Sequence, residues 1–185
     1  MTPIVLEKKK YTYEDYLKTP EDKRYELING ELLMAPSPIP NHQRISGKLE
    51  FMVKKFITEN NVGEVFYAPC DVYLDNENVV QPDILFISKD KLGIIGEKNI
   101  QGAPDLVIEI ISESSVYRDM VQKKKLYARF GVKEYWIVIP DEKEIEVYIL
   151  KDNTYQLYQT YGKADTLESL ALKGLKIVLK EIFSE

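Results

Sequence analysis

The chain has 185 residues, 44% of them hydrophobic and 30% charged, with a net charge of −5 at neutral pH. That length buries one substantial core, most simply as a single domain over residues 1–185, and the acidic balance excludes a protein wrapped in basic surface for tight nonspecific nucleic-acid binding. A lone cysteine, Cys70, excludes an internal disulfide, and a lone histidine, His42, excludes a Cys/His zinc site, so any metal is held mainly by oxygen, as Mg²⁺, Mn²⁺ or Ca²⁺ would be.

The N-terminus lacks a basic segment followed by an apolar stretch, and no run approaches the roughly 18 apolar residues of a membrane span, so a cytoplasmic protein without a membrane partner is expected. Thr12–Lys18 reads as a short helix with Thr12 as N-cap, ended before Pro20. Asn29-Gly30 between apolar runs supplies the two positive-φ residues of a type I′ turn, which makes residues 24–34 a hairpin. A two-residue loop then pairs Ile28 with Glu31 and Glu26 with Leu33, setting both glutamates on one face and Tyr25, Leu27, Leu32 and Met34 on the other. A proline-rich stretch, residues 35–40, breaks the sheet. Asn41 is expected to cap a helix whose stripe is Ile45, Leu49, Met52, Val53 and Phe56, with His42 in its first turn.

Three runs, Glu64–Leu74, Val79–Ser88 and Pro104–Ser112, read as strands. A helix over Ser115–Phe130 follows, capped by Ser112 or Ser115 and ended by Gly131, and Glu134–Ile139 is a strand stopped by Pro140. The tail adds a hairpin around Ile145–Tyr161 and a last segment near Leu175–Phe183. With no repeat, low-complexity tract or Ser/Gly linker, this order predicts an α/β sandwich: a mixed central sheet flanked by helices, with an N-terminal hairpin.

Three charges sit against this pattern. At about 100° per residue, Lys123 falls amid the apolar stripe of Val116, Met120, Tyr127 and Phe130, while Arg118, Lys125 and Arg129 fall on the solvent side. Glu109 interrupts the apolar run 106–111, and Asp83 opens Ile84-Leu85-Phe86-Ile87. A charge aimed at buried ground needs a partner, a metal ion or a shifted pKa. Phosphodiester hydrolysis by a divalent cation needs carboxylates that converge on the metal, plus a cation to stabilise the phosphate or activate water. Asp83, Glu109 and Lys123 form such a set, with the Ile110 carbonyl as an extra oxygen ligand. The bland alternative for Lys123 is an i,i+4 pair with Asp119, worth roughly 0.2–0.5 kcal/mol. Tyr127, Tyr135 and Trp136 read as core. There is no Gly-x-Ser-x-Gly elbow and no Gly-x-x-x-x-Gly-Lys-Ser/Thr loop, which disfavours a serine hydrolase and a P-loop NTPase.

The series 24–32, His42, Gln81-Pro82-Asp83, 103–112, Arg118-Asp119 with Lys123, and 127–136 resembles the bacterial Uma-two family of restriction-endonuclease-like proteins, over roughly Tyr11 to Leu150. The resemblance implies the PD-(D/E)xK nuclease fold, with the proline-aspartate pair on Pro82-Asp83 and the second acid on Glu109. In the usual pattern the lysine stands two residues after that acid, where this chain has Ile111; the family's variant moves it to the following helix, onto Lys123. The resemblance also suggests Glu26, Glu31 and His42 as rim or supporting residues, against the bland readings of an exposed hairpin face for the glutamates and a backbone-satisfied helix start for His42. The expected function is a Mg²⁺- or Mn²⁺-dependent endonuclease acting on nucleic acid, first of all DNA, as a homodimer so that two sites cut two strands. The alternative is a catalytically silent binding module of the same fold; a hydrolase of small phosphate esters is a third reading.

Overall fold

The computed structural model describes residues 9–20, 22–35, 37–112 and 117–184. Helix α1 is short, Tyr13–Tyr16, and Thr12 is its N-cap as expected: Asp15 Oδ2 accepts from the Thr12 amide at 3.0 Å, the returning half of a capping box. Strands β1 (Arg24–Ile28) and β2 (Glu31–Ala35) form the hairpin in the expected register, Ile28 with Glu31 and Glu26 with Leu33. Asn29 and Gly30 take φ of 53° and 77°, the left-handed pair that a type I′ turn requires.

Helix α2 spans Pro40–Asn60, and here the expected cap is corrected. Ile39, not Asn41, occupies the N-cap position, because Pro40 has the φ of a first helical residue and no amide hydrogen to leave unsatisfied there. Ile45, Leu49, Val53 and Ile57 form its buried stripe. The two long strands expected over residues 64–74 and 79–88 are each broken. They become β3 (Gly63–Tyr67) with β4 (Val72–Asp75), and β5 (Asn78–Val80) with β6 (Ile84–Ser88). Pro69 and Pro82 fall in the breaks, where a residue without an amide hydrogen costs no ladder bond. A 3₁₀ turn over Lys89–Ile94 leads to β7 (Ile100–Gln101), then β8 (Leu106–Ile110).

The helix expected from Ser115 begins outside the described residues. Its described part winds as a π-helix over Arg118–Lys123 and continues as α3, Lys124–Phe130, closed by Gly131 at φ 83°. Strand β9 (Glu134–Ile139) ends before Pro140, and β10 (Glu144–Lys151) with β11 (Thr154–Gly162) is the expected tail hairpin. The last segment is a small pair, β12 (Thr166–Glu168) and β13 (Lys176–Val178), followed by α4 (Leu179–Ile182).

Among the described residues, the central sheet runs β11-β10-β9-β8-β6-β3 and is mixed, with β8 and β9 parallel and the other pairs antiparallel. A second sheet, β2-β1-β5-β4-β7, carries the hairpin. Side chains alternate across the central sheet. Ile84, Phe86, Leu106, Ile108, Trp136 and Val138 face α2 and the tail. Leu85, Ile87, Val107, Tyr135 and Ile137 face α3 and the second sheet. The tail is pinned through buried Glu134, which accepts hydrogen bonds from Trp136 Nε1 at 2.6 Å, Leu170 N at 2.9 Å and Ser169 Oγ at 3.2 Å. No described helix is long and apolar enough to cross a membrane.

Because α2 carries His42 to one end of this sheet, its docking sets the site. Leu49 is fully enclosed in the α2 layer. Leu49→Ala is expected to cost about 2–5 kcal/mol, read in urea unfolding as a lower midpoint at unchanged m-value.

Candidate active site

Strand register builds the site. The β6–β8 ladder pairs Ile84 with Ile108 and Leu85 with Val107, so one step further Asp83 stands opposite Glu109. Both are odd-numbered residues of strands whose odd positions face α3, which places the two carboxylates on one side of the sheet. The Ile110 amide donates to Asp83 Oδ2 at 2.8 Å, and His42 Nε2 lies 3.2 Å from the same oxygen. The two residues line a cleft of about 290 Å³ together with Arg24, Gln81, Arg118 and Lys123.

Lys123 is 3% exposed and meets three carboxylates: Glu26 Oε1 at 2.8 Å, Glu109 Oε1 at 2.9 Å and Asp119 Oδ1 at 3.5 Å. The i,i+4 pair with Asp119 therefore exists, but as the longest contact of a cluster that crosses from helix to hairpin to sheet. The helical projection that set Lys123 inward and Lys125 outward holds. Lys123 is buried, Lys124 Nζ lies 3.3 Å from the centre of the Tyr148 ring, and Lys125 is exposed.

Two placements correct the sequence reading. Arg118, assigned to the solvent side, lines the cleft with its side chain 14% exposed and its Nε 3.7 Å from Glu26 Oε2. At about 100° per residue, positions 118 and 123 stand about 140° apart, but the i to i+5 bonding of a π-helix stacks them one turn apart on the same face. Glu26 is not on an exposed face. It is buried, accepts from the Gln81 amide at 2.9 Å and bonds Lys123. The period of two sorted the hairpin's residues correctly but could not say which face met the core. Both faces are in fact covered: Leu27 packs with Tyr16 and Val79, Ile28 joins the layer of α3, and Met34, assigned to the apolar face, is exposed.

His42 is brought to the site; Glu31, beside the hairpin turn, does not line the cleft. Ser112 lines it, and the caps expected of Ser112 and Ser115 concern a helix start that lies outside the described residues. Tyr127, Tyr135 and Trp136 are core as expected, yet two of them also hold the site. Tyr127 donates to Glu109 Oε1 at 2.7 Å, and Tyr135 donates to the Asp119 carbonyl at 2.9 Å. A tyrosine four residues beyond Lys123, on the same helix face, was the available signal.

Charge is concentrated in the cleft. Among the described residues, the carboxylates Glu26, Asp83, Glu109 and Asp119 line the cleft with Arg24, Arg118 and Lys123, and with His42 as a fourth cation when protonated. Burial opposes charge on Lys123, but Glu109, Glu26 and Asp119 outweigh it, and the ammonium is held charged well above its usual range. Burial raises the Glu109 carboxyl well above the usual carboxylate range; Lys123 opposes this, and Asp119, Asp83 and Glu26 add to it. For His42, burial alone would lower the pKa, and the hydrogen bond and charge of Asp83 reverse this, leaving it above 6.5.

His42 is the chain's single histidine, so its titration can be read without overlap. In metal-free protein, an NMR titration is expected to place it above 6.5, and Asp83→Asn to bring it down. Because the folded value is the higher one, the stability His42 contributes is fully present below pH 6.5 and is lost as pH rises through the folded pKa. A His42 shift that is unchanged in Asp83→Asn would remove the pair as its cause.

A search of curated proteins gives no match. The crystal structure of a "putative nuclease belonging to DUF820" from Anabaena variabilis ATCC 29413 is similar, with a TM-score of 0.77 and 19% identity over 93% of this chain and 97% of that chain. At that identity the likeness shows the fold, which is α/β and restriction-endonuclease-like, with mixed sheets flanked by helices. The family model described as "Uma2: Putative restriction endonuclease" matches residues 13–180, which include Glu26, Asp83, Glu109 and Lys123, and the chain belongs to that family.

Proposed function

We propose that this chain is a divalent-metal-dependent nuclease that hydrolyses phosphodiester bonds, with DNA as its substrate. The observation that carries the reading is the placement of Asp83 opposite Glu109 across two strands, beside a buried ammonium, on the wall of an open cleft. Among the described residues no three His, Cys, Asp or Glu side chains make a ready cage for a metal. Asp83 and Glu109 offer the one or two carboxylates through which Mg²⁺ is commonly bound, with several waters retained. Two carboxylates facing each other on the cleft wall are the feature that fits the ion. Asp83, Glu109 and the Ile110 carbonyl would hold it.

A divalent cation bound there supplies Lewis-acid polarisation of a phosphoryl oxygen and acidifies a water. The chain's own groups do the rest. Lys123, fixed by Glu26 and Asp119, presents its ammonium beside Glu109, where it steadies negative charge growing on the phosphate or orients the attacking water. The Ile110 amide and His42 hold one oxygen of Asp83, which fixes the rotamer of the carboxylate. Arg118 and Arg24 on the cleft wall are placed to bind oxygens that do not react.

Plasmid nicking with Mg²⁺ or Mn²⁺ tests the proposal. Wild type and Lys125→Ala are expected to nick at similar rates, and Asp83→Asn and Lys123→Ala to lose activity by at least about 100-fold, the scale of removing one charge-stabilising group. Removing Lys123 leaves buried carboxylates without their cation at a cost of about 3–5 kcal/mol, so its assay is run well below its own unfolding temperature. Equal rates for the folded Lys123→Ala and Lys125→Ala proteins would remove Lys123 from the mechanism.

A further inference from the structure

A second cleft, of about 490 Å³, opens at the same end of the central sheet as the first. Three cations line it: Arg44 from α2, Lys143 from the turn between β9 and β10, and Lys163 from the turn after β11. Sheet register explains the convergence. Glu144 pairs with Gly162, so the residues one step outside that pair, Lys143 and Lys163, leave the sheet side by side. Lys143 holds φ of 56° in a turn without glycine, which directs its side chain at some backbone cost. All three are exposed, and among the described residues none takes part in an ion pair. Asp141 and Glu142 share the Lys143 turn, but neither lines the cleft. In a chain of net charge −5, three unneutralised cations around one cavity are a local exception.

The two clefts adjoin. Ile39 and His42 of the α2 start line the first, and Asn41, Arg44 and Ile45 line the second. The parallel pairing of Ile110 with Val138 sets Ser112, in the first cleft, level with Pro140, in the second. The first turn of α2 stands between them, carries no acidic residue and has no side-chain cap, so its positive end adds to the cations. A helix about 10 Å across corresponds to roughly three nucleotides at about 3.4 Å of axial rise each.

We propose that the second cleft binds backbone phosphates of the nucleic acid roughly three nucleotides from the bond cleaved in the first. The inference rests on the nuclease reading and extends it by giving the strand a direction across the α2 start. Arg44, Lys143 and Lys163 touch non-reacting phosphates, so they set affinity and its salt dependence, not the chemical step.

The test uses full-length wild type, an Arg44→Ala/Lys143→Ala/Lys163→Ala variant, and a Lys54→Ala/Lys55→Ala/Lys125→Ala control that removes three exposed cations elsewhere. Fluorescence anisotropy with a labelled duplex of about 20 base pairs, in Ca²⁺ and between about 50 and 200 mM salt, reads the slope of log affinity against log salt. Loss of three phosphate contacts is expected to flatten that slope by about 2–3 in the cleft variant and to leave it nearly unchanged in the control. Single-turnover cleavage in Mg²⁺ at saturating protein is expected to stay within about threefold of wild type for both. An unchanged slope in the cleft variant, while wild type binds and cuts, overturns the inference and leaves the nuclease reading standing. Loss of cleavage at saturation overturns the assignment to non-reacting phosphates. A wild type that neither binds nor cuts the duplex removes the nuclease reading and this inference with it.

Discussion

The ammonium of Lys123 joins three stretches of chain far apart in sequence: Glu26 on the hairpin at 2.8 Å, Glu109 on the central sheet at 2.9 Å, and Asp119 one turn earlier on its own helix. Much of the local architecture follows from satisfying these four charges at once. They lie below 4% exposure, where each ion costs several kcal/mol to desolvate unless its partners and hydrogen bonds are in place. The π-helical turn over Arg118–Lys123 brings Arg118 and Lys123 onto one face, so that the hairpin's Glu26 meets both. Tyr127 and the Gln81 amide then fill further acceptor positions on Glu109 and Glu26. Such a cluster is poor value for stability alone, since well-packed apolar groups of the same volume hold a core at least as well. Its placement on the wall of an open cleft gives it a chemical use.

The surroundings are arranged to keep that cleft rigid. Apolar layers cover both faces of the central sheet: α2 and the tail on one, α3 with the hairpin sheet on the other. Glu134 fastens the tail through a tryptophan, a serine and backbone amides, and so stabilises the layer that α2 rests on. His42, at the start of α2, is in turn the group that bonds Asp83 from outside the sheet. The two carboxylates that face each other are thus held from opposite layers, Asp83 through α2 and Glu109 through the helix on the other side. Neither can be repositioned without moving a packed layer, which is the sense in which the site is preorganised.

Much of this was legible in the residues, for stated reasons. Asn29-Gly30 specified a turn type and with it the Ile28–Glu31 register, because few dipeptides tolerate two positive φ angles. A charged residue inside the apolar run at 106–111, and a lysine inside an apolar helical stripe, marked Glu109 and Lys123, and both are buried. What was not legible required either three dimensions or a departure from ideal geometry. Arg118 was assigned to solvent because the projection assumed an α-helix through a segment that winds as a π-helix. Glu26 was assigned with Glu31 to a common face, which is correct, but alternation cannot say that this face points to the helix carrying Lys123. Strands 64–74 and 79–88 were read as continuous because β-branched runs outweighed single prolines. The dual part of Tyr127, core residue and hydrogen-bond donor to Glu109, is hinted at only by its i+4 spacing from Lys123; the contact itself spans 18 positions.

On this reading, Asp83 and Glu109 face each other in order to hold a divalent cation. Calorimetric titration of the metal-free protein with Mn²⁺, beside Glu109→Gln, addresses it without reference to any substrate. The account predicts one site in wild type, whose binding releases a proton because Glu109 gives up the one that burial had retained, and a loss of that site in the variant. Wild-type protein that takes up no Mn²⁺, or Glu109→Gln that binds it as wild type does, would contradict the account.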